Sequence, residues 1–193
     1  MGRVVVTEFV SLDGVMEAPG GEPGYAHSGW TMDVAGEDHF AYKLEELLET
    51  EALLLGRVTY ESFAGAWPDR DDEAGFAAKM NRMPKYVFSR TLDELEWENA
   101  TLLEGDLADR VSRLKQEVDG IILVAGSRSV VHQLLENDLV DELRLMVFPV
   151  VLGSGARVYP ESERKTPLEL VDSRTYESGV VVQVYRPRGA AAS

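Results

Sequence analysis

The spacing of apolar and polar residues along the chain changes repeatedly between a period of two and a period near 3.6, and each change predicts a new element. Residues 3–11 are dense in Val, Thr and Phe, favour a strand, and run into the turn signal Leu12-Asp13-Gly14. Residues 15–36 are rich in glycine, carry prolines and keep no period, which predicts a long loop of the functional or mobile kind. From 37 to 49, Phe40, Leu44, Leu47 and Leu48 recur at helical spacing with charges between them, so an amphipathic helix is expected. The apolar run 52–55, closed by Gly56, predicts a buried strand, with a helix starting near Thr59.

The acidic stretch 68–72 reads as a turn and 76–82 as a short helix. Strands are expected at 85–89 and 100–103, with a helix over 107–118. The nearly unbroken apolar run 120–125 has the texture of a strand covered on both faces, and 129–136 that of a helix. After Asp141 the pattern is strand-like at 142–151, 168–173 and 180–186 with no long helix between, the last two forming an antiparallel pair through 176–179. Alternating strands and helices followed by strands alone predict an α/β fold, with a mainly parallel central sheet, antiparallel C-terminal strands and flanking helices. A single domain over 1–187 is expected, with a frayed Pro, Gly and Ala tail from 188 to 193.

Composition narrows the chemistry. The 193 residues include 19 basic and 34 acidic side chains, a formal net charge of -15, so long-range electrostatics disfavour a nucleic-acid partner. An anionic ligand can bind only where a few arginines converge. The absence of cysteine removes disulfides, thiolate nucleophiles and thiolate metal sites. His27, His39 and His132 have no metal-ligand spacing, and no metal is expected. No apolar run approaches the roughly 20 residues of a membrane span, and the N-terminus lacks the pattern of a signal peptide, so a cytoplasmic protein is expected.

Three segments can carry chemistry. Gly56, Arg57 and Thr59 stand where a buried strand passes into a helix; free backbone amides, the helix dipole and these side chains suit a dinucleotide pyrophosphate. The same residues also describe a turn with a capping Thr and a surface arginine. Gly126, Ser127 and Arg128 repeat the arrangement after the next buried strand, at the carboxyl ends where open parallel sheets bind ligands, and equally describe a Gly-Ser turn. Ser89 and Arg90 end another strand with a hydroxyl and a guanidinium, a pair suited to the extra phosphate of NADPH or, as an alternative, to solvent. None of these is the GxGxxG fingerprint of a Rossmann fold.

In order and spacing, SLDG at 11–14, LLLGRVTYESF at 53–63, KYVFSRTL at 85–92, GIILVAGSRSVVHQLL at 120–135 and DELRLMVFPVVLGSG at 141–155 resemble the dihydrofolate-reductase-like superfamily. The resemblance is closer to its branch containing the reductase domain of bacterial riboflavin biosynthesis, the bifunctional deaminase-reductase C-terminal domain family. It implies the dihydrofolate-reductase-like three-layer fold, NADPH as cofactor and a homodimer. It assigns Gly56, Arg57 and Thr59 to the first cofactor-phosphate segment, Ser89 and Arg90 to the adenosine ribose phosphate, and Gly126, Ser127 and Arg128 to the turn over the pyrophosphate. Asp13 and Gly14 match the loop that closes over the nicotinamide. Ala125 and Ser127 replace further glycines of dihydrofolate reductases, so hydroxyl contacts from Ser127 or Ser129 would substitute.

On the substrate side the resemblance places Asp38 near the carboxylate that orients the substrate ring, with Asp33 and Glu37 as neighbours. Tyr25, Trp30 and Trp67 would wall a flat heterocycle or serve as packing. The implied reaction is hydride transfer from NADPH to a C=N or C=O of a small, pterin- or pyrimidine-like molecule. Two alternatives are a non-catalytic nucleotide-binding or regulatory protein on the same fold, and an oligomeric structural protein using residues 143–151 as a dimer-forming strand.

Overall fold

A computed structural model describes residues 1–34 and 36–188, with the side chains of Glu37 and Asp38 outside the described set. The first strand, β1 (Arg3–Ser11), forms where the sequence pattern expects it and lies at the centre of one sheet, with Val4, Val5 and Val6 fully buried. It is followed by a long connection containing one 3-10 turn at Met32–Val34, then α1 (Glu37–Leu48), β2 (Thr50–Gly56), α2 (Arg57–Ala66) and α3 (Phe76–Arg82). β3 (Lys85–Phe88), β4 (Ala100–Leu103), α4 (Leu107–Glu117), β5 (Ile121–Val124) and α5 (Arg128–Glu136) complete the alternating part. The chain closes with β6 (Glu142–Phe148), β7 (Leu168–Thr175) and β8 (Val181–Pro187).

The eight strands form one sheet in the order β4-β3-β2-β5-β1-β6-β8-β7. Pairing is parallel from β4 to β6 and antiparallel for β6-β8 and β8-β7. Helices cover both faces. One core joins alternate residues of the central strands, such as Val4, Val6 and Val124, to Val111 of α4 and Val131 of α5. The opposite core joins Val5, Leu53, Leu55 and Leu123 to Leu47 of α1, Tyr60 of α2 and Met80 of α3. The result is the expected three-layer arrangement, because strands apolar on both sides must be covered on both sides.

Three local expectations change. α1 buries only part of the line of apolar residues that predicts it: Leu47 is buried, but Phe40 and Leu48 are 53% and 59% exposed, while His39 and Glu46 are each 2% exposed. Polar side chains beneath this helix, Thr7 of β1 and Arg144 of β6, draw its Glu46 inward. The strand expected over 142–151 ends at Phe148, where Val150 N–H turns back to the Phe148 carbonyl. β6 is hydrogen-bonded to β1 on one side and β8 on the other, so it offers no free edge to a second copy; the edge strands are β4 and β7, the latter with Leu170 and Val171 exposed. At the C-terminus, Arg188 N–H still donates to the Pro167 carbonyl at 2.9 Å, so pairing continues past Pro187, while 189–193 of the expected tail lie outside the described residues.

Lys85, the first residue of β3, is fully buried beneath the opposite edge of the sheet from the strand C-termini. Its ammonium donates to the carbonyls of Asn81, Met83 and Glu98 and stands 4.3 Å from the Trp97 ring centroid. Three acceptors satisfy its three protons, which is what permits the burial. No helix among the described residues is long and apolar enough to cross a membrane.

Candidate cofactor site

Because β3, β2, β5 and β1 are neighbours and parallel, the segments that follow them line up along one edge of the sheet. In spatial order these are Ser89-Arg90, Gly56 to Thr59, Gly126 to Arg128, and the Asp13-Gly14 turn. α2 begins at Arg57 and α5 at Arg128, so Gly56 and Ser127 occupy the N-cap positions, and neither makes a side-chain capping bond. Thr59 is therefore inside the first turn of α2 rather than its cap. Two helix N-termini, neither capped by its own N-cap side chain and each presenting the positive end of its dipole, face the same crevice.

The two turns are joined to each other. Gly56 N–H donates to the Gly126 carbonyl at 3.2 Å, and Ser127 Oγ lies 3.4 Å from both the amide and the hydroxyl of Thr59. A Cβ on Gly56 would meet Ser127 Cβ at 2.9 Å and its nitrogen at 3.0 Å. Gly126, at φ +89°, would bring a Cβ to 2.8 Å from Thr59 Oγ1. The glycines thus give the two backbones room to approach one another, a reason additional to ligand access. The Gly126-Ser127 peptide is cis.

The charged groups differ in availability. Arg57 is bound to Glu61 one turn along α2 at 2.9 Å, in a pair exposed on both sides and weak enough to yield to a phosphate. Arg128 and Arg90 are exposed. Ser89 is 6% exposed and its oxygen accepts from the amides of Thr91 and Leu92, each at 3.1 Å, so it shapes the turn that presents Arg90.

Asp13 fastens two loops. One carboxylate oxygen accepts from Ser11 Oγ at 2.7 Å and Leu152 N–H at 3.1 Å, the other from Gly153 N–H at 2.8 Å, while Arg157 donates to the Asp13 carbonyl. The SLDG and LGSG motifs are therefore two halves of one latch, and Gly14, at φ +86°, makes the turn between its strands. The hydrogen bond from Ser11, followed by that from Leu152, lowers the Asp13 pKa to about 2. A depressed carboxylate stabilises the fold above its unfolded value near 4 and loses that contribution as pH falls through about 2. Asp13→Ala is expected to cost about 1 to 2 kcal/mol in urea unfolding at pH 7, and the difference from the parent should shrink as unfolding is repeated toward pH 2.

The long loop is held down rather than open. Trp30, 3% exposed, donates from its indole nitrogen to the Glu17 carbonyl and packs on Phe148, and the Tyr25 hydroxyl donates to the Ser154 carbonyl. Trp30 is core. Trp67 follows the far end of α2, stacked on Phe76 with Arg70 over it, at the opposite edge of the sheet from the crevice. It is no part of a substrate wall. The side chain of Asp38, with that of Glu37, lies outside the described residues, and Asp33 is exposed.

Buried polar residues on β1 and α1 went unnoticed in the sequence. Glu46 accepts from Thr7 Oγ1 at 3.0 Å and pairs with Lys43, whose ammonium also reaches Thr7 at 2.7 Å; Arg144 stands 3.6 Å from the other Glu46 oxygen. Glu8, the next residue along β1 and on the opposite face of the strand from Thr7, is 8% exposed, and its Oε1 is buried with no hydrogen-bond partner. Burial, only partly opposed by Lys43, raises the Glu8 pKa to about 8. The available signal was Thr7-Glu8 interrupting a strand that is otherwise almost wholly apolar.

Comparison with known proteins agrees with this architecture. The chain is 29% identical over 190 residues to the uncharacterized protein YyaP of Bacillus subtilis, covering 97% of this chain and 96% of that one. RibD of Acinetobacter baumannii superposes with a TM-score of 0.66 at 17% identity, over 97% of this chain and 58% of the longer one. Dihydrofolate reductase from Enterococcus faecalis, complexed with NADP(H) and RAB-propyl, superposes with a TM-score of 0.61 at 16% identity over 96% of each chain. The fold is thus shared with reductases. The family described as RibD C-terminal domain matches residues 3–182, and the chain belongs to that family.

Proposed function

We propose that the protein is an NADPH-dependent reductase that transfers hydride to a C=N or C=O of a small pterin- or pyrimidine-like substrate. The observation that carries this reading is the junction of two helix N-termini without side-chain caps of their own, at Gly56-Arg57 and Ser127-Arg128, on adjacent strand ends. Such a junction fits a pyrophosphate, whose two charged groups need two sets of amide donors. Arg57 and Arg128 would add charge-assisted hydrogen bonds to it, and Arg90, two strands from β5, would meet the 2′-phosphate. The Asp13 latch would shape the nicotinamide end of the crevice. Asp38 would orient the substrate. Bound in this way, the cofactor would supply the hydride, while the protein would align it and exclude water.

Titration with NADPH and NADH, followed by NADPH oxidation against pterins, pyrimidines and dicarbonyls, tests the reading. Micromolar NADPH affinity, weaker NADH affinity and turnover of at least one acceptor are expected. Tight binding without turnover would favour a nucleotide-binding or regulatory protein. Arg128→Ala should weaken NADPH binding by about ten- to a hundredfold, the equivalent of about 1.5 to 3 kcal/mol for a charged hydrogen bond. An unchanged dissociation constant would remove Arg128 from the phosphate site.

A homodimer is part of the proposal. Edge strand β7 exposes Leu170 and Val171 at 52% and 40%, an unpaired border that a second copy would cover. Light scattering should give twice the 21.4 kDa chain mass.

A further inference from the structure

Glu8 stands two residues beyond Val6, the last β1 residue paired with β5, and so reaches past the end of β5 to the level of the Gly126 turn. The alternation of β1 places it on the face that carries Val4 and Val6. Its Oε1 lies 4.0 Å from the position a Cβ would take on Gly126, a position that is itself 2.8 Å from Thr59 Oγ1. The carboxyl is thus beneath the joint of the two turns, 8% exposed, with Oε1 unpaired. A buried polar atom without a partner costs free energy unless something outside the protein completes it. Its neighbours do not supply the bond: β6 presents Leu145 opposite it and β5 ends at Val124.

The charged groups around Glu8 are few. From α1, acting on it from the opposite face of β1, they are Lys43 and Glu46, already bonded to each other. α5 brings Arg128 at the surface and His132, which is bonded to the Arg157 carbonyl; α2 brings Arg57, bound to Glu61. A carboxylate here would repel an anionic ligand in the same crevice, whereas a neutral carboxyl would donate to one.

Strand order indicates which part of a dinucleotide would meet Glu8. With Ser89-Arg90 after β3 on the 2′-phosphate, and the turns after β2 and β5 on the pyrophosphate, the next strand along the edge is β1. We infer that Glu8 is a ligand-contacting residue at the nicotinamide end of the site, binding in its neutral form and donating its proton in a hydrogen bond to an acceptor oxygen of the nicotinamide nucleotide half. This rests on the dinucleotide reading above. No bond is made or broken in the contact. Because burial lifts the pKa of Glu8 to about 8, the neutral form predominates at neutral pH and is lost above that value.

The test is the dissociation constant of NADPH measured from pH 7 to 9.5, in the parent and in Glu8→Gln, alongside 2′,5′-ADP, which lacks the nicotinamide half. The parent should hold NADPH nearly constantly at first and then lose up to about tenfold in affinity per pH unit above Glu8's ionisation. Glu8→Gln, whose amide still donates, should bind within about threefold of the parent at pH 7 and show no such decline. Binding of 2′,5′-ADP should follow the same course in both proteins. Lys85, lowered by burial to about 8, titrates in the same window, but it lies at the opposite edge of the sheet and is common to both proteins. A parent affinity independent of pH, an undiminished decline in Glu8→Gln, or a matching Glu8-dependent decline for 2′,5′-ADP overturns the inference. Absence of NADPH binding by the parent at every pH overturns the dinucleotide reading instead.

Discussion

Gly56→Ala is expected to lower stability by about 2 to 3 kcal/mol in urea unfolding, in the range for overpacking a closed interior, and to remove most NADPH affinity. The added Cβ would enter the space of Ser127, meeting its Cβ at 2.9 Å and its backbone nitrogen at 3.0 Å. A side-chain tip can rotate aside, but a backbone nitrogen at the start of α5 moves only with its helix. The Gly56 to Gly126 hydrogen bond at 3.2 Å must then lengthen, and the two helix N-termini lose their common alignment. Backbone torsion is not the cause, because Gly56 has φ -82°, which any residue adopts. The double variant Gly56→Ala, Ser127→Gly removes the opposing Cβ and Oγ but keeps the backbone nitrogen at 3.0 Å, so it should recover only part of the lost stability. Gly65→Ala, on an open part of the same helix with nothing within 4 Å of a new Cβ, should instead be neutral or gain up to about 1 kcal/mol. If Gly56→Ala leaves the unfolding midpoint unchanged, the turns are not docked as described.

The second large effect is expected at Glu46. Its side chain is 1% exposed and is enclosed by Thr7, Lys43 and Arg144, so Glu46→Ala leaves two cationic groups beneath α1 without their shared counter-charge. Breaking a buried pair from one side costs about 3 to 5 kcal/mol. Arg144 keeps Glu142 at 2.8 Å as a second partner, which confines most of the penalty to Lys43. Lys43→Met added to Glu46→Ala should therefore restore a measurable part of the stability, and a double-mutant cycle between the two reads the coupling directly. Additive losses would show that the pair is not coupled. Lys43→Met alone has a further consequence. Lys43 is the cation that opposes the rise in the Glu8 pKa, so its loss should move the decline in NADPH affinity to higher pH.

The order of elements was legible because it depends on neighbours in the chain. Apolar runs ending in Gly56 and shortly before Gly126 announce buried strands followed by turns, and the latch residues of SLDG and LGSG are visible as separate motifs. Their partnership was not legible, since Asp13 reaches Leu152 and Gly153 only after β1 and β6 pair as parallel neighbours. The same holds for α1. Periodicity identifies the helix correctly, but which face is buried depends on Thr7 and Arg144 from strands far away in sequence, and these turn Glu46 inward and leave Phe40 outside.

The arginine and glycine segments illustrate the division most directly. Residue types and spacing were enough to predict an α/β sheet with anion-suited turns at its strand ends, because propensity, glycine tolerance and helix-dipole orientation are local properties. That the turns touch, that Ser89 is occupied by its own loop, and that a buried, unpaired Glu8 lies beneath Gly126 came from tertiary structure alone. Strand order brings segments more than a hundred residues apart into contact. Desolvation by the surrounding core, which no single segment of sequence encodes, then sets the protonation of the group enclosed between them.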